Sequence, residues 1–598
     1  MAERRCGCTF VLTLVLAGVC VLPCAAIGTS VVGGQVGVGV DIAAAVGAGR
    51  FYSAGYDGGA SRGGGVVVAN IEGGHIWRGH AVLGSGSDAV VTRLIDARAT
   101  YTARNISFGA MGQVDRHATW VGHVLAGRGA TSPGDPVHER GMMPGAELWS
   151  GAIATSFSGG AGSGSFSWQR GWAFAEPYEV AFLGAAGGTG QPTANRAADV
   201  INSSWGYQSD AGNDNFTMAI DAMARSSRKV FVAAAGNEGS GIGVAGGTMR
   251  APATGYNGIS VGAAAADDIG GGYDNIATFS SSGPQDYRGP DGLVSSVRAR
   301  VDLLAPGTHF TVALYGGATG GNTTGIDATN GSTTSYTTGA QGTSFAAPLV
   351  AGGAGLMVDL AYDRFADNSH ARDGRVIKAV MLTSARKLDG WHNGQQMIGG
   401  ALRTSQALDH RQGAGILDLD RAFDVYAGAA ATTDLPGLTG GVISNSGWDF
   451  GQVSQNGSVD YLFADDLAAG SSITATLNWF VNRQYNGTAG SGLLLSADVS
   501  FADLSLSVWQ ELGSADVLIA ESNAQYINTE HLSFTLPADG SYYLRVGFAR
   551  DQYDVNQNVN VEQFALAWDV VVVPEPGGLV AGLVMITLLR RRGVFRRS

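Results

Sequence analysis

Only four cysteines occur in the 598 residues, and all of them, Cys6, Cys8, Cys20 and Cys24, lie in the first two dozen. Past that point no disulfide can form, so stability has to come from a packed core and from any metal the chain binds. Charge is also sparse, at 15% of residues against 45% hydrophobic. That balance argues against wholesale disorder and provides for a sizeable core. Positive charge is the scarcer sign: 37 Lys and Arg face 50 Asp and Glu, a formal net charge of −13. Seven of the arginines sit in two end segments that read as removable, which leaves the body more acidic still. Such a surface repels nucleic acid and argues against a DNA or RNA partner. It would suit calcium, but no EF-hand-like spacing occurs, so no metal ligand is named and no cofactor is required.

Glycine, by contrast, is abundant, with 92 residues. Runs at 61–65, 159–165 and 270–272 read as surface loops, because glycine weakens helices and strands. Length predicts several domains.

Both ends read as addresses. Arg4 and Arg5 precede an apolar run over 9–22 and then Pro23-Cys24-Ala25-Ala26. A positive start, an apolar middle and small residues at the exit predict a secretory signal peptide over 1–26. Pro23 fits poorly before a lipidated cysteine. At the other end Pro574-Glu575-Pro576 is followed by an apolar stretch over 577–589 and then by Arg590, Arg591, Arg592, Arg596 and Arg597. The stretch is short for a membrane span, and the arginines would stay cytoplasmic. This tripartite tail, 573–598, resembles the PEP-CTERM sorting signal. The resemblance implies processing by an exosortase-type membrane enzyme and delivery to the cell envelope surface or extracellular matrix. A plain membrane anchor would give nearly the same location.

Between the ends, 27–64 is a glycine-rich segment in which no folded inhibitory pro-domain is evident. Over 65–428, short apolar runs at 65–71, 147–153, 199–203, 229–235 and 259–263 read as buried strands, and 117–126, 215–225 and 344–360 as helices. The alternation predicts an α/β fold, a parallel sheet with helices on both faces and ligands beyond the carboxyl ends of its strands. Over 429–572 long helical periodicity is missing. Strand-like runs at 472–477, 504–508, 533–536 and 541–546, separated by Gly, Asn and Asp turns, predict a β-sandwich, and 504–546 resembles the jelly-roll modules of secreted peptidases.

Hydrolysis of a peptide by serine needs an exposed hydroxyl, an imidazole to take its proton, a carboxylate to hold the imidazole's tautomer, and donors for the oxyanion. Gly342-Thr343-Ser344-Phe345-Ala346-Ala347-Pro348 opens a small-residue helix, with Ser344 near its unpaired amides. Taken alone, Ser344 reads equally well as an ordinary helix cap. His117 starts the run 117–127. Its neighbour His123 reads as a structural histidine. Val66-Val67-Val68-Ala69-Asn70-Ile71-Glu72-Gly73-Gly74 ends an apolar strand on a carboxylate. Asn70 can supply no charge, and Asp115 suits the helix cap. Asn237 ends another strand, after Ala235 and Gly236, where a plain turn asparagine before glycine is the competing reading.

Together these segments resemble the motifs of the subtilisin-like serine proteases, in the family's order. The resemblance covers about 65–428. It implies a secreted serine endopeptidase with Ser344 as nucleophile, His117 as general base, Glu72 where the family has aspartate, Asn237 as oxyanion donor and an acyl-enzyme intermediate. It further implies that Ser203, Ser204, Trp205 and Gly206 form the edge on which substrate backbone adds as a strand. Those residues, with Ala235 and Gly236, have small walls and predict a roomy primary pocket for apolar or aromatic side chains. Protein or peptide substrates follow. Two departures, Glu72 for aspartate and Trp120 where a second histidine is common, leave open a subtilisin-like surface protein that binds without cutting. A third reading makes the β-sandwich an adhesin.

Overall fold

The computed structural model describes residues 24–26, 30–31, 41–59, 65–84, 88–129, 140–158, 165–185, 196–209, 211–239, 247–266, 272–315, 331–428, 440–488, 490–513, 515–557 and 560–573. Residues 1–23 of the expected signal peptide and all but the first residue of the expected sorting tail lie outside them.

Every residue of the strand Val67–Glu72 is buried. Its side chains alternate between two cores: Val66 and Val68 enter one, Val67, Ala69 and Ile71 the other. A strand covered on both faces needs apolar residues at every position, which is why it reads as a continuous run rather than an alternation. It pairs in parallel with Val200–Ser203 on one side and Glu147–Ala152 on the other. The complete sheet has eight strands in the order Asn275–Ile276, Ile259–Ala265, Val230–Ala234, Val200–Ser203, Val67–Glu72, Glu147–Ala152, Val91–Ile95, with Leu303–Pro306 also pairing Ile259–Ala265. Only Asn275–Ile276 runs antiparallel. The chain leaves Val67–Glu72 toward one edge and returns to build the other. The order of connection therefore reverses beside Glu72 and Ser203, where an open parallel sheet leaves a crevice at its carboxyl end.

Helices Arg116–Ala126, Thr343–Arg364 and Gly374–Ser384 cover the first face, and Gly171–Leu183 and Asn215–Ser227 the second. Among the described residues Thr343–Arg364 is the one helix long and apolar enough to cross a membrane, and it is wholly buried in the protein. It lies close to its neighbours because it lacks side chains at the contacts. A Cβ at Gly352 would come 2.3 Å from Met142 Cβ, and one at Gly355 1.9 Å from Met143 Sδ.

The described part of the N-terminal glycine-rich segment packs on this body. Phe51 is fully buried, and Gly58 N–H donates to Asp359 Oδ2 at 3.0 Å. Beyond the helix Leu419–Gly428 two further sheets form a sandwich. One runs Ser446–Ser454, Val561–Val571, Ser472–Trp479, Thr529–Thr535; the other is built around the long strand Leu494–Gln510. The second sheet recruits Ala401–Thr404, which pairs in parallel with Val517–Ser522. The first sheet sends Trp448, Ala565 and Ala567 into the core under helix Gly374–Ser384. Buried polar bonds reinforce this contact. Arg483 lies 2.7 Å from Asp221, both almost fully buried, and Asn257 exchanges two 2.8 Å bonds with the Val481 backbone.

Candidate active site

Glu72 is the last residue of its strand and is 1% exposed. One carboxylate oxygen, Oε2, lies 3.1 Å from His117 Nδ1; the other, Oε1, accepts the Ser204 N–H at 2.9 Å. The longer side chain thus reaches two partners at once, one on each flanking element. His117 sits at the second position of its helix, whose N-cap is Asp115: the Asp115 side chain accepts from His117 N–H at 3.1 Å. Asp115 is thereby engaged with the helix end, not with the imidazole ring.

Ser344 is the second residue of helix Thr343–Arg364 and is fully buried by its surroundings. Its Oγ donates to the Ser204 carbonyl at 3.0 Å. One residue, Ser204, therefore links the three groups: its N–H binds Glu72, which binds His117, and its carbonyl binds Ser344. The two helices touch one turn further on, where the Trp120 and Phe345 rings lie 6.4 Å apart. His117 Nε2 is buried and has no hydrogen-bond partner among the described residues. A buried polar nitrogen left this way is costly unless another group binds there.

Burial works against charge on His117, but the charge and hydrogen bond of Glu72 outweigh it, helped by Asp115, and raise the imidazole above its usual 6.5. Burial also raises Glu72, although His117 and the Ser204 amide pull it back. Both shifts are those of a carboxylate and an imidazole removed from water together.

Asn237 is oriented by a residue that the sequence reading passed over. Thr343 N–H and Thr343 Oγ donate to Asn237 Oδ1 at 2.9 and 3.0 Å, so the amide nitrogen points away from Thr343. The Thr343 hydroxyl also bridges to Gly236 N and O, each 3.2 Å away. Gly236 has φ +121° and Gly342 φ +150°, backbone states that favour glycine at the turns carrying both groups. Asn70, which can supply no charge, has a bridging role instead, together with Asn202. Asn202 donates to Asn70 Oδ1 and to Ser204 Oγ, and Asn70 to the Ala118 carbonyl of the histidine helix. Two buried amides between strands were the available signal.

The edge residues divide by direction. Ser203 Oγ bonds the Tyr178 hydroxyl at 2.7 Å on the far side of the sheet, and Trp205 is buried in an aromatic cluster with Phe166 and Trp168. Neither side chain lines a pocket; their backbone is what the site can use. The chain's own strand Cys24–Ala26 adds antiparallel between Trp205–Gly206 and Ser165–Ser167. The slot therefore has two walls, of which the sequence reading found one. The structure also changes the reading of the pocket. Ala235 O accepts from Arg250 N–H at 2.9 Å, and the Arg250 stem and the Glu238 carboxylate lie against Gly206 and Gly236, so the walls are not purely small and apolar. His123 Nδ1 accepts from Ala313 N–H and has a structural role. Among the described residues no group of three or more His, Cys, Asp or Glu side chains is placed to hold a metal ion.

A family model described as the subtilase family matches residues 96–415. The match takes in His117, Asn237 and Ser344 and begins after Glu72. Among solved structures, the patellamide maturation protease PatA is similar over 61% of this chain and 98% of its own, at 20% identity and a TM-score of 0.38. A serine protease of Aeromonas sobria matches over 86% and 89% at 13% identity and a TM-score of 0.40. Fervidolysin from Fervidobacterium pennivorans, described as a keratinolytic enzyme related to subtilisin, matches over 83% and 60% at 16% identity and a TM-score of 0.40.

Proposed function

Because this chain belongs to the subtilase family of serine peptidases, we propose that it cuts protein substrates through a Ser344–His117–Glu72 variant of the family's triad. The observation that carries the reading is the Glu72 carboxylate bonded at once to His117 Nδ1 and to the Ser204 amide, whose carbonyl holds Ser344.

The chemistry runs as follows. Ser344 Oγ turns to His117 Nε2, gives up its proton and attacks the substrate carbonyl. The oxyanion takes hydrogen bonds from the Asn237 amide and the Ser344 N–H. His117 returns the proton to the departing amine, leaving an acyl-enzyme, and a water activated by the same imidazole releases the acid. Glu72 keeps the proton of the neutral ring on Nδ1 and stabilises the imidazolium. Substrate backbone adds to Trp205–Gly206 in the slot where Cys24–Ala26 lies, as edge pairing favours. Ser344→Ala tests the reading: hydrolysis and labelling by a fluorophosphonate probe should both vanish, and labelling equal to wild type would refute it.

The two ends support export and anchoring. Residues 1–26 would direct secretion, and 573–598 would be processed by an exosortase-type enzyme, leaving a peptidase body over 65–428 and a β-sandwich over 429–572 at the cell envelope surface. Mass spectrometry of the mature protein checks both ends; an intact N- or C-terminus would sink the corresponding half.

A further inference from the structure

The inference rests on the peptidase reading above and concerns which peptides that site cuts. A strand added antiparallel to Trp205–Gly206 runs toward Ser204, whose carbonyl holds Ser344 Oγ. On the other side of Ser344 lie Gly236 and Asn237, tied to Thr343. The residue whose carbonyl is attacked therefore lies between the edge strand and this turn, and its side chain enters the gap between Gly206 and Gly236.

Arg250 lines that gap. A Cβ on Gly206 would come 2.6 Å from Arg250 Cβ, and one on Gly236 2.5 Å from Glu238 Oε2, 2.7 Å from Ser281 Oγ and 3.0 Å from Arg250 Cγ, so the arginine stem lies along both glycines with the Glu238 carboxylate beside it. The Arg250 Nε is 2.9 Å from Glu238 Oε1. The second Glu238 oxygen accepts from Ser281 Oγ at 2.9 Å. Both carboxylate oxygens are thus engaged. Among the described residues the two outer guanidinium nitrogens of Arg250 have no partner, and the side chain remains 28% exposed. The Glu238 charge is shared between Arg250 and Ser281, while the outer Arg250 donors have no such partner. A carboxylate entering the pocket finds two outer guanidinium nitrogens able to donate paired bonds. A large apolar side chain meets the stem and strips water from unpaired donors, and a lysine meets a charge of its own sign.

We propose that Arg250 determines specificity and that the chain cuts preferentially after an acidic side chain, glutamate above all. The full-length protein is titrated with a fluorophosphonate to count active sites. kcat/KM is then compared for four peptides differing only at the residue before the cut: Glu, Gln, Phe and Lys. Glutamate should exceed glutamine by about tenfold or more, the reward of a charge-assisted pair in a partly exposed pocket. That ratio should shrink in molar salt. Arg250→Ala should bring it close to unity and Arg250→Lys should retain part of it. Glu238→Gln, which unpairs Arg250, should raise it, and carries the test if Arg250→Ala does not fold. Labelled protein that cuts after phenylalanine faster than after glutamate, or a ratio unmoved in both variants, overturns the inference and leaves Ser344 as nucleophile. Protein that takes no label sinks both.

Discussion

Glu72→Gln isolates the one departure of this site from the ordinary triad. The substitution keeps size and shape. The position of Oε1 still faces the Ser204 N–H, which demands an acceptor, so the new amide nitrogen faces His117 Nδ1. An NH2 group only donates. Nδ1 must then accept, and the ring proton moves to Nε2, the nitrogen that has to take the serine proton. In a serine protease of another fold the corresponding change costs about 10⁴ in kcat, or about 5.4 kcal/mol of barrier. A second consequence concerns pH. Activity needs the neutral imidazole, so kcat/KM falls as pH drops through the His117 pKa, which Glu72 helps hold above 6.5. Without the carboxylate the raising influence goes and the lowering effect of burial stays, so the acidic limb should move to lower pH while the plateau falls. The assay is kcat/KM for one small peptide across pH, normalised to folded protein. A Gln variant within about tenfold of wild type, with its acidic limb unmoved, would refute the role of Glu72.

Asn237→Ala should lower kcat by about 10²–10³ with little change in KM, the loss seen when another enzyme of this family is deprived of its side-chain donor; an equal rise in KM would assign Asn237 to substrate binding instead. Arg483→Ala removes the buried partner of Asp221 between the helix Asn215–Ser227 and the sandwich, and should cost about 3–5 kcal/mol and lower the thermal midpoint of the whole chain. An unchanged midpoint by calorimetry would mean that the two parts unfold independently. Protein cut after residue 26 lacks the strand that lies on Trp205–Gly206, so it should hydrolyse small peptides faster than unprocessed protein that still carries residues 24–26, at equal active-site count. Equal rates would show that the strand leaves the slot readily.

Much of the site was legible because its groups sit at element ends, where local chemistry shows in the chain. Gly342-Thr343-Ser344 before a small-residue helix and Gly236-Asn237 after a strand are contiguous signals. Buried strands were legible for a related reason: both faces are covered, so they read as apolar runs. The helix Gly171–Leu183 was not, since it carries Pro177 and its only charged residues, Glu176 and Glu179, are buried with the apolar ones, leaving no polar stripe to detect. The sandwich strand Val561–Val571 was missed because charged and polar residues at its start obscure the alternation.

By itself the sequence determined the α/β body and the family pattern in which Glu72, His117, Asn237 and Ser344 follow one another, because each depends on residues adjacent in the chain. Only the tertiary structure decided how Glu72 serves two partners, that Ser204 is the residue linking it to Ser344, and that Arg250 lies against Gly206 and Gly236. Those facts depend on groups 132 to 140 residues apart in one case and on an arginine's path between two glycines in the other. Distances of a few ångströms between remote segments are set by how strands and helices pack, and no local pattern records them.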